Sequence, residues 1–292
     1  MESLYTILGA GGSIGNALAD ELLAQNKNVR LVSRKGVKVK GAESVVADIL
    51  NYDELITSVK NSSVIFLTVG LQYDYKVWSE SWVKIIKNTI KAAKEVNAKL
   101  VFFDNVYMYG KVEGKMTEST PYNPCSKKGE IRAEVAKLIE NEFGKGELKS
   151  LIARAADLYG IYGGNNCVPN FMVIENLLKG KNAQCLANIN TLHSYTYIPD
   201  CAKSLILLAD DEKAYNQVWH LPTFNPPLTS KQFIELTAKI LTTNAKTTIL
   251  KSWMVKLLGY FVKPINEVYE MLYQAEYDYY FDSTKFNKAY NF

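Results

Sequence analysis

The feature that most constrains this chain lies at its start. An apolar run, Leu4-Tyr5-Thr6-Ile7-Leu8, passes directly into Gly9-Ala10-Gly11-Gly12-Ser13-Ile14-Gly15. Gly9, Gly12 and Gly15 stand three residues apart, and Ile14, Leu18 and Leu22 then recur every four residues, as on one face of a helix. Strand, glycine turn and helix in that order make a phosphate cradle. Glycine allows a tight turn and close backbone approach, and the helix N-terminus offers free N–H groups and partial positive charge. The spacing predicts a dinucleotide site built by Gly9, Gly12, Ser13, Ile14 and Gly15. Gly11-Gly12-Ser13-Ile14-Gly15 also fits the G-x-S-x-G nucleophile elbow of hydrolases, with Asp157 and His193 or His220 as later partners. That reading leaves Gly9 unexplained, and dinucleotide binding is preferred.

The rest of the chain alternates. Short apolar runs at Val29–Val32, Ser44–Val46, Val64–Thr68, Leu100–Phe103 and Leu151–Ala153 lack polar alternation, as expected of strands buried on both faces. Helical periodicity fills Trp78–Val96 and Gly129–Phe143. This predicts an α/β fold, a doubly wound parallel Rossmann sheet, followed by a smaller C-terminal α+β substrate domain. The boundaries expected are 1–157 for the nucleotide domain, with 196–222 returning to it, and 158–195 plus 223–292 for the substrate domain. In the latter, a helix is expected at Asn170–Leu178, a strand at Val218–Leu221 and a helix capped by Thr229 or Ser230. Trp253–Val262 is strongly apolar. It could lie on a membrane surface or in a partner's groove, and is read as a core or substrate-pocket helix.

Composition narrows the function classes. The formal charge is +4, with 34 basic and 30 acidic side chains that are scattered rather than clustered, so no nucleic-acid partner is expected. No apolar run is long enough to span a bilayer and the N-terminus lacks a basic leader, so a cytoplasmic protein with no membrane partner is expected. Cys125, Cys167, Cys185 and Cys201 form no C-x-x-C pair, and His193 and His220 are the only histidines, so no metal site is expected and the cysteines read as buried filler.

The second strand refines the cofactor. Where an NAD site places an acid to receive the ribose hydroxyls, this chain has Ser33, followed by Arg34 and Lys35. A serine does not repel a 2′-phosphate and an arginine binds one, so NADP is favoured, with NAD as the alternative.

Together these residues resemble the extended short-chain dehydrogenase/reductases of the NAD(P)-dependent epimerase/dehydratase family, over nearly the whole chain. Besides the glycine loop, Ala47-Asp48-Ile49 resembles the acidic turn that contacts adenine, and Thr68-Val69-Gly70 the fourth strand end beside the cofactor. Val106-Tyr107-Met108-Tyr109-Gly110, Arg154-Ala155-Ala156-Asp157-Leu158-Tyr159-Gly160, Tyr195–Ala202 and Phe281–Lys285 match further family segments in order. The resemblance implies cofactor contacts at Asp48, Ile49, Thr68, Val69, Gly70 and Ala155, and substrate contacts at Asp157, Tyr159, His193 and Tyr195. It implies an oxidoreductase, epimerase or dehydratase acting on a carbonyl or hydroxyl carbon of a small molecule such as a nucleotide sugar. It is also compatible with a homodimer built on the helices after the fourth and fifth strands.

The catalytic pattern departs from the family. The Ser/Thr and Y-x-x-x-K positions fall on Asn105, Ser126 and Glu130. The literal match Tyr107 to Lys111 falls at a strand end and is read as coincidence. Substitutes considered are Asn105 and Ser126 in place, Tyr122 swinging in from the loop, Lys128 or Lys127 supplying charge, and Asp104 as a base. Loss of the triad also motivates a second function, a catalytically inactive NADP(H)-binding sensor or scaffold.

Overall fold

The computed structural model describes residues 3–292. Seven parallel strands form the central sheet: β1 (Leu4–Leu8), β2 (Asn28–Ser33), β3 (Glu43–Val46), β4 (Val64–Leu67), β5 (Lys99–Asp104), β6 (Ser150–Arg154) and β7 (Val218–His220), in the spatial order β7-β6-β5-β4-β1-β2-β3. Order reverses at β1, whose two neighbours are β2 and β4. Ligands of open α/β sheets bind at the carboxyl ends of strands flanking such a switch.

The central strands are apolar because both faces are covered. Helix α1 (Ser13–Ala24) and α5 (Ile198–Asp210) pack one face, where Ile14, Leu18 and Leu22 meet Ile7, Leu31, Leu205 and Leu208. Helices α2 (Tyr52–Ser58), α3 (Tyr75–Glu95) and α4 (Lys127–Glu140) cover the other, where Trp82, Ile86, Val135 and Ile139 meet Leu67, Phe102 and Ile152. β3 differs from expectation. Glu43, Ser44 and Val46 are exposed because β3 is the sheet edge, paired with β2 alone, and Arg30 Nε binds Glu43 at 2.8 Å across that pair.

Beyond β6 the chain builds short two-stranded pairs. Asp157–Tyr159 runs parallel to Tyr195–Tyr197, and Leu192–His193 runs antiparallel to Leu228–Thr229. The region expected to be helical at Asn170–Leu178 opens as a π-helix over Asn170–Ile174 before its α turn at Glu175–Leu178. Asn170 is tied down there, its side chain accepting from Gly160 N and donating to Gly160 O, each at 2.9 Å. Thr229 caps α6 (Ser230–Ile240) in a reciprocal capping box with Gln232.

The last segment holds two surprises. Trp253–Val262 does not line the cleft, and of its large apolar side chains Val255 alone among those described is buried. It spans α7 (Ser252–Gly259) and the turn into α8 (Lys263–Tyr269), and Trp253, Leu257, Leu258, Tyr260, Phe261 and Val262 all face solvent. Tyr279, by contrast, is buried, although the tyrosine-rich stretch from Tyr269 to Tyr280 reads from sequence as amphipathic rings packing with their hydroxyls near water. All four cysteines are free thiols, and Cys125 is exposed rather than buried filler.

Candidate active site

A cleft of about 1200 Å³ opens over the carboxyl ends of β1, β2, β4, β5 and β6. Its floor is main chain. Gly9 sits at φ +109°, and a Cβ there would come 2.7 Å from Val69 N; a Cβ on Gly15 would come 2.5 Å from Gly9 O. The loop is therefore closed against β4's end and against itself only because side chains are missing. Gly12 is the N-cap of α1 and no side chain caps it, so the first-turn N–H groups are left for a ligand. Glycine cradle and uncapped helix fit a dinucleotide pyrophosphate.

The expected cofactor residues fall along this cleft. Gly9, Gly12, Ser13, Ile14, Ser33, Arg34, Asp48, Ile49, Thr68, Val69, Gly70 and Ala155 line it, and Gly15 lies behind the loop. Ser33 Oγ accepts from Val37 N at 3.1 Å, which folds the Arg34–Gly36 turn over the mouth. Asp48 Oδ1 accepts from Leu50 N at 3.0 Å.

The other wall is made by side chains. Asn105, Tyr73, Tyr107, Asp157, His193, Tyr195 and Tyr279 line it, with Val268 and Met271 from the C-terminal segment. Asp104, beneath, is fully buried between Arg132, whose Nε donates at 2.9 Å, and Arg154 Nε at 3.5 Å. It also accepts from Asn105 N at 2.8 Å, so the pair of guanidinium groups fixes the backbone under Asn105. This commits Asp104 to structure rather than to proton abstraction. Asn105 Oδ1 accepts from Tyr107 N at 3.1 Å, leaving its amide N–H groups to offer a ligand. His193 Nε2 lies 2.9 Å from Asp157 Oδ2, and its ring stacks on Tyr279 at 4.7 Å.

Three of the residues expected to do chemistry are engaged elsewhere and do not line this cleft. Ser126 Oγ accepts from Gly129 N at 3.0 Å as the N-cap of α4. Tyr122 hydroxyl is held between Glu140 and Arg154. Lys128 is fully buried against Glu267 and, at 2.7 Å, Glu270. Of the expected substrate residues, Asp157, His193 and Tyr195 line the cleft, whereas Tyr159 packs on Tyr197 and Phe233. Sequence reasoning passed over Tyr73 and Tyr279 as cleft residues, and took Tyr107 as part of a family segment whose literal match to Lys111 reads as coincidence.

The tyrosines here are held as phenols. Burial, then the Asp157 charge, pushes Tyr107 up to about 12, and burial raises Tyr73 and Tyr279 further. Lys128 Nζ lies 4.7 Å from the Tyr73 ring centroid but is paired with Glu267 and Glu270, and burial dominates at Tyr73, the reverse of what a Y-x-x-x-K pair provides. The exposed face of α3, where a dimer seam was expected, carries Lys76, Glu80, Lys84, Lys87, Lys91 and Glu95.

Fold and site together define a nucleotide-binding α/β protein of the doubly wound class. Within that class, the profile of the NAD dependent epimerase/dehydratase family matches residues 5–220, and the chain belongs to that family. Among solved structures it is similar to a Bacillus anthracis dTDP-glucose 4,6-dehydratase in complex with NAD (14% identity, TM-score 0.80, covering 100% of this chain and 91% of that one). It is also similar to a Bacillus cereus UDP-glucuronic acid 4-epimerase in complex with NAD (17%, TM-score 0.77, 98% and 91%). A third is the Thermus thermophilus UDP-glucose 4-epimerase complex with NAD (18%, TM-score 0.70, 85% and 86%). At such identities the likeness shows the fold. No curated protein matches the sequence.

Proposed function

We propose that this protein is an NADP(H)-dependent enzyme that oxidises or reduces a hydroxyl or carbonyl carbon of a nucleotide sugar, alone or within an epimerase or dehydratase cycle. The observation that carries the reading is the continuity of the cleft. One cavity runs from the glycine cradle to a wall of hydrogen-bonding side chains, with room for a dinucleotide and a second ligand. The similar dehydratase and epimerases, named for dTDP- and UDP-sugars, support a nucleotide sugar as that ligand. Arg34 and Lys35 at the mouth, with neutral Ser33 beside them, support NADP over NAD.

A bound nicotinamide would supply the hydride acceptor or donor. The chain's own residues hold and protonate the substrate. Asn105 donates its amide N–H to the reacting oxygen, and Tyr107, kept protonated, is a second donor. His193, with Asp157 at 2.9 Å, exchanges the proton, the carboxylate holding the imidazole in place. Ser126, Tyr122 and Lys128 serve as positioning residues around α4.

The test is a titration of cofactor-stripped protein with NADPH and NADH, followed by turnover with UDP- and dTDP-hexoses. NADPH should bind more tightly, and Arg34→Ala should erase about tenfold or more of that preference. Asp157→Asn should lower kcat by roughly a hundredfold or more while the nucleotide Kd holds. Binding of neither nucleotide overturns the proposal. Tight binding with no turnover of any hexose nucleotide selects the sensor or scaffold instead.

A further inference from the structure

The apolar hairpin of α7 and α8 buries Val255 and turns Pro264 and Val268 to the cleft, but its outer face packs on neither core nor cleft. Phe261 is 82% exposed, Tyr260 76% and Trp253 64%, with Leu257 and Leu258 also exposed. Soluble monomers seldom present so many large apolar side chains on consecutive turns. Charge says what covers them. Between Leu236 and Asn266 the chain has Lys239, Lys246, Lys251, Lys256 and Lys263 and no aspartate or glutamate. All five lysines are exposed. Of the carboxylates beside the hairpin, Glu267 pairs with Lys128, Asp74 pairs with Lys263, and Glu276 accepts from Ser252 Oγ. No ion pair among the described residues holds Lys251 or Lys256.

We infer that this hairpin is a docking surface for an anionic lipid bilayer. Aromatic and leucine side chains flanked by lysines are the composition of a segment that lies in the headgroup layer. Helix α7 is only eight residues long and no described helix is long and apolar enough to cross a membrane, so the hairpin rests on the bilayer and does not span it. A second copy of the chain is the poorer occupant. A two-fold contact through this patch brings the same lysines of both copies together, whereas acidic headgroups complement them. Pro264 and Val268, in α8 itself, line the cleft, so docking sets the cleft within one helix of the lipid surface. This departs from the sequence expectation of no membrane partner, under which Trp253–Val262 is read as a core or substrate-pocket helix in preference to a membrane-surface segment.

The experiment is flotation of the full chain with vesicles of phosphatidylcholine alone or mixed with phosphatidylglycerol, at low and physiological ionic strength. The chain should float with the mixed vesicles and much less with the neutral ones, and salt should weaken binding. Trp253→Ser/Phe261→Ser and Lys251→Glu/Lys256→Glu should each reduce binding about tenfold or more. Both pairs are exposed, so circular dichroism should match the parent. Failure to float with anionic vesicles overturns the inference. So does a concentration-dependent dimer that Trp253→Ser/Phe261→Ser abolishes, which assigns the patch to a second copy.

Discussion

The two walls of the cleft are built by different means. The cofactor floor is main chain: Gly9, Gly12 and Gly15 at the end of β1, and the ends of β2 and β4. Its shape depends on what those residues lack. The opposite wall is side chains, and the charged groups in and behind it are held by partners far away in sequence. Asp104 reaches Arg132 and Arg154, Asp157 reaches His193, and Lys128 ties α4 to Glu267 and Glu270. A floor of backbone should tolerate changes in stability elsewhere and fail only when its own space is filled. A wall of paired side chains should lose stability when one partner goes.

The largest expected effect tests the wall. Lys128 is fully buried, and its two carboxylate partners are mostly buried. Lys128→Met leaves both carboxylates without a counter-charge and should cost about 3 kcal/mol or more in urea unfolding. NADPH affinity of the folded fraction should stay within about threefold, because Lys128 is not part of the floor. An equal loss of affinity would show that the two walls are mechanically one. The converse substitution comes next. Gly12 has φ −79° and ψ 165°, a conformation any residue adopts, and it is the N-cap position. Gly12→Asp should hold or raise the melting temperature, since aspartate caps helices well. It should weaken dinucleotide binding by about a hundredfold by placing a negative charge against the phosphates. Undiminished binding would mean that the phosphates do not sit on α1.

This division also explains what the sequence made legible. The floor is written in contiguous residues, so spacing alone places Gly9, Gly12, Ser13, Ile14 and Gly15, and the buried strands that frame them. The wall is written in pairs separated by long stretches of chain. Nothing local to Lys128 announces Glu267, and nothing local to Tyr122 announces Arg154, so both read as free to act when both are engaged. The same limit applies to Trp253–Val262. A short apolar run has one pattern whether it is buried or exposed, and only the fold decides. Tyr279 errs in the other direction, because its burial follows from backbone pairing with Leu192 and Ser194, which no periodicity records.

His220 gives a smaller, pH-dependent test of the wall's support. Its Nδ1 lies 2.9 Å from the Asp282 carbonyl, which can only accept, so Nδ1 carries the proton and Nε2 accepts from Tyr109 at 2.8 Å. Burial, with the Arg154 charge, pushes the imidazole down to about 3. The unfolded chain takes up this proton near pH 6.5, while the folded chain resists until about pH 3. The stability it lends is therefore complete above the unfolded value and declines as pH falls towards the folded one, by at most ~1.4 kcal/mol per pH unit. His220→Asn keeps a donor for Asp282 and should cost about 1 kcal/mol near neutrality. Between about pH 7.5 and about pH 5 the wild type should lose roughly 2 kcal/mol more than the variant. Parallel loss in both proteins would place the imidazole's proton elsewhere.

The smallest expected effect decides how far the wall's geometry is shared with its neighbours. Thr229 caps α6, and its backbone also pairs with Leu192, one residue before His193. Thr229→Ala should cost about 1 kcal/mol through the lost cap. The pairing that positions His193 is carried by main-chain groups the substitution leaves in place, and Tyr279 N donates to Leu192 O at 2.9 Å from the other side. Any turnover by the folded protein should therefore be unchanged and only the unfolding midpoint should move. If kcat falls with stability, the Asp157–His193 distance depends on a cap thirty-six residues from His193 in sequence, and the wall is held by whole-element docking rather than by the pairs that touch it. In that case conservative changes anywhere in α6 should register in kcat, whereas the glycine floor should remain indifferent to all of them.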